Sequence, residues 1–192
     1  MRRYFVDAVH PVWGLGVLHY RWLLKGQRFY LGVGGGRQRL NILGAWCPED
    51  GEYLDRRSAE ENVNAQTVID LMVQIQQQHP ETKKFILYLD NARYFHAILA
   101  RQWIEQLEAE TGVKFVLEFL PAYSPNLNLI ERLWKFLKKQ ALSTWHHTFD
   151  EMQAAVSSVL DHLNQFRDEL TTLMNENFQL WPEETWELLE LP

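Results

Sequence analysis

The sequence is almost free of cysteine, with Cys47 as the only one among 192 residues. A single thiol excludes an internal disulfide and any zinc cluster built from several cysteines, so a reducing cytoplasm is the natural compartment. The chain also lacks a run of about 18 apolar residues, the length that a membrane-spanning helix needs. Its apolar run near the N-terminus is interrupted by Asp7. We therefore predict neither a secreted protein nor a membrane protein.

Basic residues are scarce at the C-terminal end of the chain. Residues 1–140 carry 18 basic and 15 acidic side chains, a balance of +3. Residues 141–192 carry one basic side chain, Arg167, against ten acidic ones, a balance of −9. The formal net charge of −6 therefore combines a slightly basic body with an acidic tail. An overall acidic charge does not exclude a nucleic-acid substrate for residues 1–140.

The hydrophobic pattern predicts a mixed α/β domain. Strands are predicted at residues 2–9, 39–46, 52–58, 84–90 and 114–119, and helices at 64–78, at 94–110 and around Glu131. The helix at 94–110 is predicted to end at Gly112 and to bury one face, formed by Phe95, Leu99, Trp103 and Leu107. Three strands come first, and helices separate the later ones. This order is typical of a sheet that begins antiparallel and is covered by helices. With 46% hydrophobic residues, the chain is large enough to bury one sizeable core.

A glycine-rich segment at 32–36 has the composition of a phosphate-binding loop but not its context. No Gly-Lys-Ser/Thr follows it, and it leads into a predicted strand instead of a helix. We interpret the segment as a flexible hairpin or a DNA-facing loop.

The C-terminal part of the chain is predicted to be helical. Thr148 and Glu151 have the spacing of a capping box. Apolar residues then recur in steps of four and three, at Met152, Val156, Val159, Leu163, Phe166, Leu170 and Leu173. About three heptads of this kind fit a helix that packs on its own domain, with a break near Arg167, and they also fit a dimer interface. We therefore divide the chain into a body, 1–145, and an acidic helical extension, 146–192.

Three acidic residues stand out against their surroundings. Asp7 lies within an apolar strand, Asp90 closes another, and Glu131 lies in an amphipathic helix. A carboxylate in a buried strand is costly unless it is paired, protonated or bound to metal, which favours a functional role for Asp7. Asp90 and Glu131 could equally cap their helices. If the two strands are neighbours and the helix packs beside their ends, the three oxygen ligands suit Mg²⁺ or Mn²⁺.

The helix around Glu131 carries two stripes of side chains. The core-facing stripe is predicted to consist of Ile130, Leu133, Trp134 and Leu137. Glu131, Lys135 and Lys138 form a second stripe, about 100° round the helix. An acid followed by lysines suits a metal site that opens onto phosphate, and the alternative is an ordinary Glu–Lys helix pair. Two ions at such a centre could support an in-line phosphoryl displacement.

Four blocks of sequence are specific enough to indicate a family: Phe5–Pro11, Gly36–Asn41, Leu89–Tyr94 and Leu120–Lys135. Over about residues 3–166 they resemble the DDE transposases of the insertion sequence 630 family, bacterial relatives of mariner. The strongest signals are the Asp-Asn-Ala block and the Tyr-Ser-Pro-Asn-Leu-Asn-x-Ile-Glu block. The resemblance implies a ribonuclease H-like fold with a mixed five-stranded sheet, and the catalytic acids Asp7, Asp90 and Glu131 holding two Mg²⁺ or Mn²⁺ ions.

The same resemblance implies a DNA partner and a reaction. Relatives cleave DNA at transposon ends and transfer the strand, typically into a TA dinucleotide. This chain would then act in the bacterial cytoplasm, associated with the nucleoid. Two alternatives stay open: a ribonuclease H-like nuclease that cuts without joining, and a non-catalytic remnant that dimerises and regulates a full-length transposase.

The chain departs from the family pattern in several places. Ala8 stands where many relatives have glutamate, and Leu129 where proline is common. Relatives usually carry an N-terminal helix-turn-helix region that reads the transposon ends, whereas here the catalytic strand starts almost at Met1. We therefore expect a catalytic fragment, a decayed copy, or half of a split transposase whose helix-turn-helix is a separate polypeptide.

Neighbouring polar residues are candidates for supporting roles. His10 and Asn91 are predicted to orient the metal ligands, against the alternative of ordinary hydrogen-bonded loop residues. The predicted contacts to DNA phosphates are Arg93, Lys135, Lys138 and Lys139, against the alternative of plain solvated charges.

Overall fold

The computed structural model describes residues 1–14, 25–26, 38–121 and 124–178. The strands are β1 (Arg2–Val9), β2 (Asn41–Cys47), β3 (Glu52–Ser58), β4 (Lys84–Leu89) and β5 (Lys114–Phe119). The α-helices are α1 (Ala65–Gln78), α2 (Ile98–Thr111), α3 (Ile130–Ala141), α4 (Phe149–Asp161) and α5 (Arg167–Leu173), and short 3-10 helices lie at Arg93–His96, Pro125–Leu127 and Leu163–Phe166. None of the helices within these ranges is long and apolar enough to cross a membrane. The glycine-rich segment 32–36 lies outside the described residues.

The five strands form one mixed sheet in the order β3-β2-β1-β4-β5. The pairs β1–β2 and β2–β3 are antiparallel, whereas β1–β4 and β4–β5 are parallel. The predicted sheet, antiparallel first and then extended by parallel strands, is confirmed. Strand β1 lies in the middle, so the strand that carries Asp7 has a neighbour on both sides.

Each face of the sheet is covered by its own layer of helices. Because side chains alternate along a strand, Tyr4 and Val6 of β1 face the core under α1 and α2, whereas Phe5 and Val9 face the core under α3, α4 and α5. Asp7 lies between Phe5 and Val9 in this alternation. It therefore points to the face that α3 covers.

The predicted helix at 94–110 is interrupted. A 3-10 turn covers Arg93–His96, Ala97 is extended at φ −61° and ψ 136°, and α2 begins only at Ile98. This break changes the phase of the helix, so the prediction that Leu99 faces the core is wrong: its side chain is 51% exposed. The predicted end is confirmed, because Gly112 adopts a left-handed φ of 70° there.

The predicted helix start at Thr148 is confirmed. The Thr148 hydroxyl accepts the Glu151 N–H at 3.1 Å. The Glu151 carboxylate, however, accepts the N–H of His147 at 2.7 Å, one residue before the position that a capping box uses.

The heptad stripe of the extension is divided between α4, a 3-10 turn and α5, with the break just before Arg167. Met152, Val156 and Leu170 are buried in the same core as α3. At these positions the stripe packs on its own chain. A dimer interface through the remaining positions stays a prediction.

Arg132 of α3 holds the end of the described chain. Its guanidinium donates to the backbone carbonyls of Leu173, Asn175 and Asn177 at 3.1, 2.7 and 3.1 Å. It also lies 5.6 Å from the ring centre of Phe178. The planar, multi-donor guanidinium suits such a cluster of carbonyls, and it ties residues 173–178 to the helix that carries Glu131.

Candidate active site

Asp7 and Asp90 lie side by side on neighbouring parallel strands. Val6 of β1 is paired with Leu89 of β4, so the next residue on each strand is one of the two acids. Asp7 is only 8% exposed, whereas Asp90 is exposed. The Asp90 Oδ1 accepts the N–H of Ala92 at 3.2 Å, which is a turn contact. The alternative that Asp90 caps the following helix is wrong, because neither the 3-10 helix Arg93–His96 nor α2 has a side-chain cap.

Glu131 approaches this pair from the first turn of α3, where it is half-buried. The alternative that it belongs to a capping box is wrong, because the N-cap residue of α3 is Leu129 and no side chain caps the helix. The side-chain amide of the buried Asn128 instead donates to the Val6 carbonyl at 3.1 Å. This bond ties the start of α3 to β1, next to Asp7.

Trp134 makes the direct contact between α3 and Asp7. Its indole Nε1 donates to Asp7 Oδ2 at 3.0 Å, and both groups are buried. Gly44 is paired with Asp7 across the β1–β2 ladder. A Cβ atom at Gly44 would lie 2.6 Å from Cη2 of Trp134, so the indole can lie against β2 only because this residue is glycine.

The three acids act on one another electrostatically. Burial raises the pKa of Asp7 from its usual 3.8 to about 7, and the charges of Glu131 and Asp90 contribute in the same direction. Hydrogen bonds from the Ala8 backbone and the Trp134 indole act in the opposite direction. A carboxyl group with such a pKa is poised between its two protonation states near neutral pH. Perturbed groups of this kind cluster at functional sites.

The pKa of Tyr94 is also affected by the charges of these acids. Burial raises the pKa of its hydroxyl, and the charges of Asp90 and Asp7 raise it further.

Oxygen donors from three carboxyl groups are the ligands that hard divalent cations prefer. Within the described ranges, however, no three His, Cys, Asp or Glu side chains are arranged as a ready set of metal ligands. Asp7 is held in place by Trp134, whereas the other two acids are accessible to solvent.

Comparison with known proteins identifies the family. The family model described as DDE superfamily endonuclease matches residues 2–153, which include all three acids. The chain belongs to the DDE superfamily endonucleases. No curated protein sequence matches it significantly.

Solved structures agree with this family in fold. A pre-cleavage Mos1 transpososome aligns with a TM-score of 0.58 and 17% identity, over 92% of this chain and 50% of that one. The Mos1 mariner paired end complex with Mn gives 0.56 and 18%, over 93% and 57%. A chain of the simian T-cell lymphotropic virus intasome, solved with PP2A regulatory subunit B56 gamma, gives 0.50 and 13%, over 99% and 54%. The fold is ribonuclease H-like, and this chain spans about half the length of the Mos1 chains.

The predicted supporting residues of this DDE domain have other partners. His10 Nδ1 lies 2.9 Å from Asn41 Oδ1, and the Asn41 amide donates to the Glu61 carbonyl at 2.8 Å. Asn91 Oδ1 lies 2.6 Å from His96 Nε2. The structure thus brings neither His10 nor Asn91 into a hydrogen bond with the three acids, and their role in orienting metal ligands stays a prediction.

The predicted phosphate contacts divide into two groups. Arg93, Lys135 and Lys138 are exposed, and none of them forms an ion pair within the part of the chain that the structure describes. Arg93 follows Asp90 by three residues, and Lys135 follows Glu131 by one helical turn. Lys139 is different, because its Nζ is paired with the Glu169 carboxylate at 3.1 Å.

Sequence reasoning missed an aromatic stack in this DDE domain. His96 and Phe119 stack with ring centres 4.3 Å apart and an interplanar angle of 12°, and Phe119 is 39% exposed. Ile98 and Leu99, which follow His96 closely, are also exposed. An exposed apolar patch of this kind marks an interaction surface more often than chance. Its sequence signal was weak, because the 3-10 break at Ala97 is what turns these side chains outward.

Proposed function

We propose that this chain is the catalytic domain of a DNA transposase of the insertion sequence 630 family, which cuts DNA at transposon ends and joins the 3′ ends to target DNA. The observation that carries the proposal is that Asp90 and Glu131 lie near enough to the buried Asp7 to raise its pKa, in a DDE superfamily endonuclease. The Mos1 structures, described as transposon-end and strand transfer complexes, support it. By the same likeness, two copies would act together on paired ends.

Asp7, Asp90 and Glu131 would hold two divalent ions, Mg²⁺ or Mn²⁺. The donor set fits, since it offers only carboxylate oxygens, and burial beside two like charges makes a cation the natural partner for Asp7. When bound, such ions activate a water or a 3′-hydroxyl for in-line attack on phosphorus and stabilise the leaving oxygen. The protein's part is to hold Asp7 rigidly on the central strand while Asp90 and Glu131 approach from the solvent side.

The surroundings of the acids would bind the DNA backbone. Arg93, Lys135 and Lys138 flank the acids with positive charge that forms no ion pair among the described residues, and they would contact phosphates. The exposed Phe119 ring could stack against a base that leaves the duplex near the scissile phosphate. The proposed target is a TA dinucleotide, the proposed partner for end recognition is a separate helix-turn-helix polypeptide, and the proposed location is the bacterial nucleoid.

The proposal is tested with labelled DNA carrying the inverted repeats that flank the gene. With Mg²⁺ or Mn²⁺ we expect cleaved ends and a joined product. Asp90→Asn and Glu131→Gln should each lower both products at least about 100-fold, since changing residues that merely support a metal ligand already costs about 10- to 100-fold. Glu118→Gln, which alters an exposed acid of β5 outside the site, is the matched control.

The outcomes separate the proposal from its rivals. Cleavage without a joined product would favour a ribonuclease H-like nuclease. If the wild-type protein shows no Mn²⁺ binding that Asp7→Ala or Asp90→Ala removes, catalysis is excluded, and a regulatory remnant becomes the better description.

A further inference from the structure

We propose that Trp134 is the positioning residue for Asp7: its indole N–H holds one carboxylate oxygen so that the other is presented to the metal ion. The inference rests on the proposed function and assigns a role within the same site. Sequence reasoning placed Trp134 only in the core-facing stripe of α3. The structure gives this core residue a polar contact with a catalytic acid.

The contact has the properties of an orienting bond. The indole N–H can only donate, and a buried tryptophan usually finds a partner for it. Here the partner is Asp7 Oδ2 at 3.0 Å, in a buried environment where a bond to a charged oxygen is strong. Because one oxygen accepts this bond, rotation of the carboxylate is restricted. The Ala8 backbone N–H also acts on this carboxylate. Among the described residues, Oδ1 receives no side-chain hydrogen bond, so it is the oxygen that would face a metal ion.

The indole itself is held from two sides. Gly44, opposite Asp7 in the sheet, leaves room for the ring edge directly against the β2 backbone. Tyr53 of the next strand meets the ring edge-to-face, with centres 6.2 Å apart at 85°. A side chain at residue 44 would push the ring away. Packing against the sheet therefore fixes the position of the indole ring, and the hydrogen bond from the indole fixes the orientation of the Asp7 carboxylate.

The same bond also places Glu131 on the side of β1 that carries Asp7. Trp134 follows Glu131 by three residues, so the two side chains lie within one turn of α3. When the indole engages Asp7, Glu131 is brought to the same end of β1. The bond from Asn128 to the Val6 carbonyl gives this arrangement a second tie.

The chain offers a matched control in Trp46. Trp46 is buried in the same core as Trp134, and its Nε1 has no hydrogen-bond partner among the described residues. Trp134→Phe and Trp46→Phe therefore remove the same atoms from the same core. Only the first removes a bond to a carboxylate.

The experiment measures Mn²⁺ affinity of the full chain by electron paramagnetic resonance of free Mn²⁺, with no DNA or reaction needed. We expect Trp134→Phe to weaken Mn²⁺ binding about 10- to 100-fold, the range found for groups that orient metal ligands. Trp46→Phe should leave the affinity within about 3-fold of wild type, even where both variants lower the melting temperature similarly. A purely structural role for Trp134 would not separate the two variants in this way.

A second variant covers the case in which Trp134→Phe does not fold. Replacing Trp134 by 3-benzothienylalanine keeps the size and shape of the ring system and exchanges only the N–H for sulfur. It should weaken Mn²⁺ binding in the same way. If either folded variant binds Mn²⁺ as tightly as wild type, the positioning role is overturned while the proposed function stands. If wild type itself shows no Asp7-dependent Mn²⁺ binding, the proposed function falls and the inference falls with it.

Discussion

At the scale of single residues, folding places Asp7 in an environment that is unfavourable for a charged carboxylate. Aspartate is depleted in strands, yet here it lies in the central strand, buried and beside two other acids. Raising a pKa from 3.8 to about 7 corresponds to about 4 kcal/mol in favour of the protonated form. Proteins keep such costs where function needs them.

This cost predicts an unusual pH dependence. Because folding raises the pKa of Asp7, the folded state binds the proton more tightly than the unfolded state does. The stability that this tighter proton binding contributes is therefore fully present below about pH 4 and is lost as the pH rises through about 7. In chelator at pH 8, we expect Asp7→Asn to increase the free energy of unfolding by about 1–3 kcal/mol, less than the full cost because the new amide needs partners.

The measurement is urea unfolding of wild type and Asp7→Asn at pH 8 and at pH 5. The gain should shrink at pH 5, where wild-type Asp7 is protonated in the folded state. A loss of stability at pH 8 would show that Asp7 is not strained by its surroundings. Glu118→Gln should change stability little at either pH, since this acid is exposed.

At the scale of elements, helices α4 and α5 complete the core over the sheet face that carries Asp7. Met152, Val156, Leu160, Leu170 and Met174 are buried in the same cluster as α3. The ion pair of Arg57 on β3 with Asp161 on α4, at 2.7 Å, adds a polar contact at the edge. The division at 145/146 therefore separates segments that share apolar surface.

We expect a chain truncated after His147 to lose cooperative unfolding. Removing α4 and α5 would leave the outer side of α3 and parts of β1 and β2 exposed to water, at a cost of about 25 cal/mol per Å² of apolar surface. The truncated protein should bind the dye ANS and give a broad thermal transition, while the full chain unfolds sharply. A sharp transition for the fragment would instead support an independent body, 1–145.

At the scale of the whole molecule, charge is distributed unequally around the site. The acidic extension lowers the net charge to −6, yet Arg93, Lys135 and Lys138 beside the acids are free of ion pairs within the described residues. A polyanion would meet these positive charges near the site despite the overall negative charge. Local distribution matters more than net charge for such an approach.

This arrangement predicts how DNA binding depends on salt. Each phosphate contact that is lost should reduce the slope of log K against log [salt] by about 1. We expect Lys135→Gln to weaken DNA binding and reduce the slope by about this amount, as measured by fluorescence anisotropy over a salt series. Lys139→Gln is the matched control, because Lys139 is already paired with Glu169 and should have a smaller effect. An unchanged affinity and slope for Lys135→Gln would show that this face does not approach DNA, and equal losses for the two lysines would show that the ion pair with Glu169 does not keep Lys139 from DNA.

Much of the fold follows from local patterns in the sequence. All five strands lie within two residues of their predicted bounds, and the predicted stripe of α3 is buried, together with Phe136 and Ala141. These features depend on periodicity and on turn residues such as Gly112, which act over a few positions. The break at Ala97 was not predictable in this way, since residues 93–111 have no proline or glycine to mark it.

The features of the candidate site likewise fall into two groups, those that local sequence patterns indicate and those that depend on the packing of the folded chain. Local sequence patterns are enough to identify the three acids, their order, and their elements: Asp7 within a strand, Asp90 directly after one, and Glu131 in a helix. The packing of the folded chain adds what these patterns do not contain: Asp7 is buried with a raised pKa, Trp134 holds one of its oxygens, and Gly44 must lack a side chain. The reason is physical: periodicity records which way a side chain points from its own element, whereas a bond between residues 127 positions apart exists only once the sheet register and the packing of α3 have brought them together.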